Sequence, residues 1–294
     1  MNDVEPHAAR AIILALAAST CFGVGLVLTQ FGLRRTDPVR GSMVSVPSAA
    51  ALFWLMSVVI VDWAAFDWRA VLIFSAVGLL FPASVTLLTF EANRQMGPNI
   101  TGALGNLTPV FAIGFAVLTL GETLGTADVV GTGVIMAGVM LLSWRGSGQS
   151  VSWPVWLIAL PLAGAIIRGA AAPAVKWGLV TWDAPFVAAL FGYSVSALVL
   201  VISGWFRVGR TVVGFDRSGS WRFVVAGMVN GMATMLMYAA LAHGTVSLVS
   251  PLIATYPLIT LLVSALVVRA APISAQLIAG VVATVLGVVV LLIA

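Results

Sequence analysis

Ten apolar segments of about twenty residues each follow one another along the chain, separated by short polar stretches. A bilayer core about 30 Å thick is crossed by about 20 residues in helical form, so each segment can span a membrane. Soluble domains carry roughly a quarter charged residues, whereas only 8% of this chain is charged. The sequence therefore predicts an all-α membrane protein with ten transmembrane helices.

The predicted helices fall into two groups of five on either side of a glycine- and serine-rich stretch. The spans are 11–33, 41–61, 70–90, 99–120, 126–144, 153–175, 184–205, 223–242, 245–268 and 273–293. Transmembrane strands would alternate apolar and polar residues over about ten positions, which these continuous runs do not do. We therefore expect a first repeat at 1–145, a linker at 146–152 and a second repeat at 153–294.

The two halves resemble each other most at their ends. Residues 97–109 run parallel to residues 244–257, and each stretch leads from a loop glycine to a central proline. Because five helices is an odd number, the second half enters the membrane from the opposite side to the first. The sequence therefore predicts inverted repeats, an architecture that recurs in secondary transporters. The alternative is that apolar helices resemble one another by chance.

A glycine pattern links the last helix of each half. Gly131 and Gly138 in the fifth predicted helix match Gly280 and Gly287 in the tenth. A spacing of seven residues places both glycines on one helix face, where small residues allow two helices to approach closely. We expect these faces to be helix contacts.

Short motifs in both halves resemble those of the drug/metabolite transporter superfamily, in its ten-helix EamA-type branch. They are Leu107 to Phe111 (LTPVF), Gly121 and Glu122, Lys176, and Tyr256 to Ile259 (YPLI). The second half departs from the family pattern, because Arg269, Ala270 and Ala271 stand where the Gly-Glu pair is usual. In length and helix count the chain is also similar to aromatic amino-acid exporters of the YddG type. The resemblance implies a transporter of small metabolites.

Arg168 is the outstanding polar residue, because it lies beyond the middle of the sixth predicted helix. A charge near the bilayer centre costs roughly 2.5–3.5 kcal/mol, so such residues usually face a cavity or a partner. One hypothesis is that Arg168 binds a substrate carboxylate in two-point geometry. The alternative is a structural bridge to backbone carbonyls or to Glu91, which could itself pair with Arg94 on its own helix.

Neutral polar residues cluster in the helices that line the cavity in the resembling family. The candidate substrate contacts are Arg168, Asn106, Thr108, Asn230, Tyr238 and Tyr256, and the candidate hinges are Pro109 and Pro257. Proline frees a backbone carbonyl, which is tolerated where the backbone lines a cavity or is covered by protein. Asn230 and Tyr238, with Thr234 between them, recur every four residues and so share one helix face. Ordinary hydrogen bonding between helices is the alternative role for each.

The function expected from these features is export of small metabolites, with amino acids, aromatic ones included, as the first class of substrate. Alternating access through a central cavity would carry them, and export of drugs or other metabolites is the alternative. We expect no enzyme activity, no cofactor and no metal, because no cluster of metal ligands or phosphate loop appears. We expect no nucleic acid partner, because the arginines are scattered between apolar runs and form no basic stripe. A channel and an intramembrane enzyme remain as rivals. We expect the chain to work as a monomer in a lipid bilayer.

The loop charges indicate an orientation in the inner membrane of a bacterium. Arg10, Arg69 and Lys176 fall on the side of the chain termini. Ten arginines fall on the other side: Arg34, Arg35, Arg40, Arg94, Arg145, Arg207, Arg210, Arg217, Arg222 and Arg269. The positive-inside rule then predicts periplasmic termini, whereas the family resemblance implies cytoplasmic termini.

Overall fold

The computed structural model describes residues 4–33, 37–96, 101, 104–143, 154–208, 217–268 and 275–293. These residues form helices, two short 3-10 turns and connecting loops, with no strand among them. The helices are α1 Val4–Leu33, α2 Pro38–Ile60, α3 Trp68–Leu80, α4 Ala83–Met96, α5 Thr108–Leu120, α6 Thr126–Ser143, α7 Ala159–Thr181, α8 Pro185–Val208, α9 Arg217–His243, α10 Val246–Ile253, α11 Tyr256–Val268 and α12 Ala275–Ile293. The all-α prediction is confirmed.

The helices account for the ten predicted spans. Within the described residues, seven helical stretches are long and apolar enough to cross a membrane, and α5, α6 and α12 are shorter apolar helices. The boundaries differ at several ends: α1 begins at Val4 rather than at residue 11, and α7 continues to Thr181 rather than ending at residue 175. The predicted linker at 146–152 lies outside the described residues.

Three of the ten spans are broken near their middle. The third divides into α3 and α4 at Phe81 and Pro82, which are joined by a cis peptide bond. The fourth breaks just before α5, and the ninth breaks between α10 and α11. Proline explains the position of each break, because it cannot donate a backbone hydrogen bond and its ring collides with the preceding turn. Despite its break, the third predicted span, 70–90, is found as one membrane-spanning stretch, Trp68–Thr89.

The break between α3 and α4 is compensated by a side chain from the other half of the molecule. The hydroxyl of Ser196 in α8 donates to the carbonyl of Gly78 at 2.5 Å and accepts from the backbone N–H of Ala83 at 3.3 Å. Ser196 is buried, so water does not supply these bonds. An unsatisfied backbone group in hydrocarbon costs several kcal/mol, which explains why a broken helix needs such a partner.

The two repeats interlock rather than lying side by side. The first helix of each repeat packs on the third span of the other repeat. In the first repeat this helix is α1, which packs on α9, and in the second repeat it is α7, which packs on α3 and α4. The second helix of each repeat does the same: α2 packs on α9, and its counterpart α8 packs on α3. The fourth span of each repeat packs on the first helix of the other: α5 packs on α7, and α10 and α11 pack on α1. Three further contacts join corresponding spans of the two repeats: the second with the seventh (α2 with α8), the fourth with the ninth (α5 with α10) and the fifth with the tenth (α6 with α12). This exchange pattern is that of two inverted five-helix repeats.

The contact between α6 and α12 is built from the glycines that the sequence singled out. A Cβ at Gly131 would lie 3.1 Å from the carbonyl oxygen of Gly287, and one at Gly287 would lie 2.9 Å from that of Gly131. The same reciprocal approach joins Gly138 and Gly280, at 2.9 and 3.0 Å. The predicted glycine contact is confirmed, with the two helices meeting backbone to backbone.

Both described chain ends lie at one end of the helix bundle, which we call the terminal face. His7, near the start of α1, has its ring 5.6 Å from that of His243 at the end of α9. Gly131, near the start of α6, contacts Leu291 near the end of α12. The other end of the bundle is called the opposite face.

Candidate functional site

The two central helix breaks of the fourth and ninth spans meet inside the protein. Asn106, at the first break, is buried, and its side-chain oxygen accepts a hydrogen bond from the hydroxyl of Tyr256 at 3.4 Å. Tyr256 begins α11 directly after the second break. These residues belong to different repeats and are 150 positions apart. The structure thus brings together two of the predicted substrate contacts.

Prolines and short hydroxyl side chains shape these breaks locally. Pro109 and Pro257 each occupy the second residue of the helix that follows the break, α5 and α11. Proline is favoured in the first turn of a helix, where its missing N–H has no helical partner to lose. The hydroxyl of Thr108 donates to the carbonyl of Gly105 at 2.7 Å. Thr108 therefore bonds to its own segment, and the hinge role of the prolines stays a prediction.

A further polar contact joins the ninth span to α1. The hydroxyls of Ser19 and Thr255 lie 3.0 Å apart, and both residues are buried. Ser19 was not among the predicted site residues, because a lone serine in an apolar run carries no signal of its own. The two are 236 positions apart, so only the fold shows the pairing.

Arg168 lies in the middle of α7 and is half-buried. Among the residues that the structure describes, its guanidinium has no hydrogen-bond or ion-pair partner. The alternative bridge to Glu91 is therefore not formed. Glu91 instead accepts a hydrogen bond from Gln95 at 2.5 Å, and the side chain of Arg94 lies outside the described part.

Helix geometry places Arg168 on the inner side of α7. At about 100° per residue, Arg168 lies about 180° around the axis from Trp177, which is 64% exposed and marks the outer side. Gly164 and Gly169 lie on either side of Arg168, about 40° and about 100° around the helix axis from it. A Cβ at Gly164 would lie 3.8 Å from the hydroxyl of Thr89 in α4, and Gly169 packs on α5. Arg168 is therefore directed between α4 and α5, away from lipid.

The predicted polar face of α9 divides into two parts. Asn230 packs against Gly25 of α1, where a Cβ would come within 2.8 Å of its side-chain carbon, and its amide has no partner in the described structure. Thr234 instead bonds to the hydroxyl of Tyr193 in α8 at 3.1 Å. Tyr238 is only 2% exposed and packs in the hydrophobic core. Substrate contacts by Asn230 and by Tyr238 both stay predictions.

Glu122 and Lys176 form a charged cluster at the terminal face. Glu122 follows Gly121, whose left-handed conformation (φ 67°) ends α5 and turns the chain aside. A residue with a Cβ is disfavoured in that conformation, which explains a glycine before the glutamate. The carboxylate lies 3.5 Å from the ammonium of Lys176, and only 8% of the Glu122 side chain is exposed.

The same carboxylate caps α10. Its two oxygens accept from the backbone N–H groups of Val246 at 2.7 Å and Ser247 at 3.0 Å, and one accepts from the Ser247 hydroxyl at 3.0 Å. Lys176 also donates to the carbonyl of Gly244. A carboxylate is favoured at a helix N-terminus, where free N–H groups carry partial positive charge. The sequence showed these residues as family motifs but not that they meet.

Groups of three or more metal-ligating side chains are absent from the described residues. His7 and His243, the two histidines of the chain, lie in ring contact but have no third ligand beside them.

Comparison with known proteins agrees with this architecture. The profile of the EamA-like transporter family matches residues 9–144 and residues 155–293. One solved structure, described only as "Crystal structure of protein", is similar to the chain with a TM-score of 0.80 and 20% sequence identity. The alignment covers 96% of each chain, and at this identity it shows the fold alone. No curated protein matches the sequence.

Proposed function

Because this chain belongs to the EamA-like transporter family, whose members are membrane transporters of small solutes, we propose that it exports small metabolites with an anionic group, amino acids first among them. Arg168 carries the proposal. It is a half-buried cation on the inner side of a membrane helix, without a partner among the described residues. Such a charge is costly in the bilayer, and a bound carboxylate offsets that cost.

Guanidinium chemistry favours a carboxylate as the matching group. Its planar fork of donors fits two carboxylate oxygens at once, and it keeps its charge at every physiological pH. The free amide of Asn230 and the polar ends of Asn106 and Tyr256 supply neutral donors and acceptors for the rest of a solute. Aromatic amino acids have no particular support from these residues. Export of drugs or other metabolites is equally compatible with the fold. Among these solutes, Arg168 favours those that carry an anionic group.

Alternating access is the mechanism that the architecture supports. The two inverted repeats interlock through α5 and α10, which adjoin the central breaks. In inverted-repeat transporters the substrate site lies between the halves, near broken helices. Bending at the breaks beside Pro109 and Pro257 would open the site to one side and then to the other.

Counterflow in liposomes tests the substrate class. Purified protein is reconstituted and offered a panel of amino acids, other organic acids and neutral or cationic drugs. We expect uptake of an anionic-group solute, and we expect Arg168→Gln to reduce it by at least about thirtyfold, because losing one partner of a buried charge pair costs about 2–5 kcal/mol. Arg69→Gln is the matched control, because Arg69 is exposed and lies over the ring of Trp68 at the start of α3. Full transport by Arg168→Gln would remove the proposal.

We further propose that the chain works as a monomer in a bacterial inner membrane with its termini in the periplasm. The excess of arginines on the opposite face supports this orientation, because positive loops stay in the cytoplasm. A periplasm-active reporter fused to the C-terminus should be active. An inactive fusion, with a cytoplasm-active reporter working in its place, would reverse the orientation.

A further inference from the structure

The cluster around Glu122 joins the two repeats at one end of the molecule. Glu122 belongs to the connection between α5 and α6 in the first repeat. Among the described residues, the partners of its carboxylate belong to the second repeat: Lys176 in α7, and Val246 and Ser247 at the start of α10. Any movement that parts the repeats at the terminal face must break these contacts together.

The cluster also provides acceptors for the first three N–H groups of α10. Glu122 accepts the N–H groups of Val246 and Ser247, and Thr245 accepts that of Leu248 at 3.3 Å. Hydrogen bonds to a charged group contribute more than neutral ones, and a buried donor that loses its acceptor keeps the cost of its lost hydration. Separation of Glu122 from α10 leaves two N–H groups and a carboxylate without these partners, and it leaves the ammonium of Lys176 with the carbonyl of Gly244 but without its ion pair.

The opposite face has no equivalent charges in the sequence. With the repeats aligned on Pro109 and Pro257, the position of Glu122 corresponds to Ala270. The residue equivalent to Lys176 in the first repeat is Leu28, which lies within an apolar part of α1. Inversion of the repeats therefore duplicates the helices at both ends of the molecule but not these charges.

From this asymmetry we propose that Glu122 and Lys176 form a one-sided latch that holds the terminal face closed and makes opening to the opposite face the resting state. The latch sets the balance between the two access states and does not touch the solute. With the termini in the periplasm, the resting protein would take up its solute from the cytoplasm, which is the order of events that export requires.

Distances across the terminal face test the latch without any substrate, so the outcome is independent of the role of Arg168. Cys21→Ser removes the one native cysteine, and Thr123→Cys with Asp183→Cys places a spin label on each repeat at exposed positions. In lipid nanodiscs, we expect Glu122→Gln to raise the population with the longer distance by at least about tenfold, because charged buried hydrogen bonds are lost.

Asp128→Asn is the matched control, because Asp128 lies near the same face but bonds only within the first repeat, accepting from the N–H of Gly125 at 2.8 Å. We expect it to leave the distances unchanged. Lys176→Gln should produce a smaller shift in the same direction, since Glu122 keeps its backbone partners.

A distance distribution for folded Glu122→Gln that superimposes on that of Asp128→Asn overturns the latch. If Glu122→Gln does not fold, Lys176→Gln decides. A shift toward the longer distance then supports the proposal, and an unchanged distribution refutes it.

Discussion

Adding one methyl group at Gly138 should destabilise the protein, whereas adding one five residues earlier should not. A Cβ at Gly138 would lie 2.5 Å from the backbone nitrogen of Thr284 and 2.9 Å from the carbonyl oxygen of Gly280. Neither atom can rotate away, because both belong to the backbone of α12. Gly133 is exposed on the same helix, α6, and a Cβ there meets no atom within 4 Å.

The magnitude follows from these distances. Ordinary contacts between carbon and other heavy atoms lie near 3.5 Å, so α6 and α12 must move apart by about 1 Å to admit the methyl group. Forcing an extra methyl group into a packed contact typically costs about 1–3 kcal/mol. We therefore expect Gly138→Ala to lower the free energy of unfolding by about 2 kcal/mol. Gly133→Ala should be neutral or stabilising by up to about 1 kcal/mol, because alanine favours the helix more than glycine does.

Reversible unfolding of the purified protein in detergent, followed by helical circular dichroism, measures both variants. The difference in the free energy of unfolding between the two variants isolates the contact with α12, since both variants add the same group to the same helix. Equal stability of the two would refute the backbone contact between α6 and α12. Thr284→Ala should not restore Gly138→Ala, because the backbone nitrogen remains in place.

Two further substitutions test the interior of the bundle. Ser196→Ala removes the hydroxyl that bridges the break between α3 and α4, and it should lower the free energy of unfolding by about 1–3 kcal/mol. Ser203→Ala loses only a bond within α8 and should lower it less in the same experiment. Tyr256→Phe should leave the free energy of unfolding nearly unchanged, because the bond from Tyr256 to Asn106 is long at 3.4 Å. Counterflow transport should fall. A large loss of stability would instead assign the bond a structural role.

Features that depend on a few neighbouring residues could be predicted from the sequence. The ten apolar runs set the helices, and the position of Pro109 and Pro257 set two of the breaks, because both signals are local. The glycine spacing predicted a contact, although its reciprocal geometry needed the fold. Pro82 also lies within the third predicted span, but the sequence analysis did not single it out as a break.

Features that depend on residues far apart in the chain could not be predicted. Ser196 lies 113 positions from the backbone that it bonds, and Glu122 lies 124 positions from Val246. Nothing in the residues around either one specifies such a partner. Arg168 was recognised because a charge in an apolar run is costly wherever it points, but the direction of its side chain came only from the packing of α7.

Interlocking of the repeats has a consequence for biogenesis. When the first five spans, α1 to α6, have left the ribosome, α12 is not yet present to pack against the glycine face of α6. The helices α1 and α2 still lack α9. The nascent half must therefore stay in the membrane with its contact surfaces turned to lipid until the second half is synthesised. A premature stop near the midpoint would yield a fragment that is inserted but unpaired, a substrate for membrane proteases rather than half a transporter.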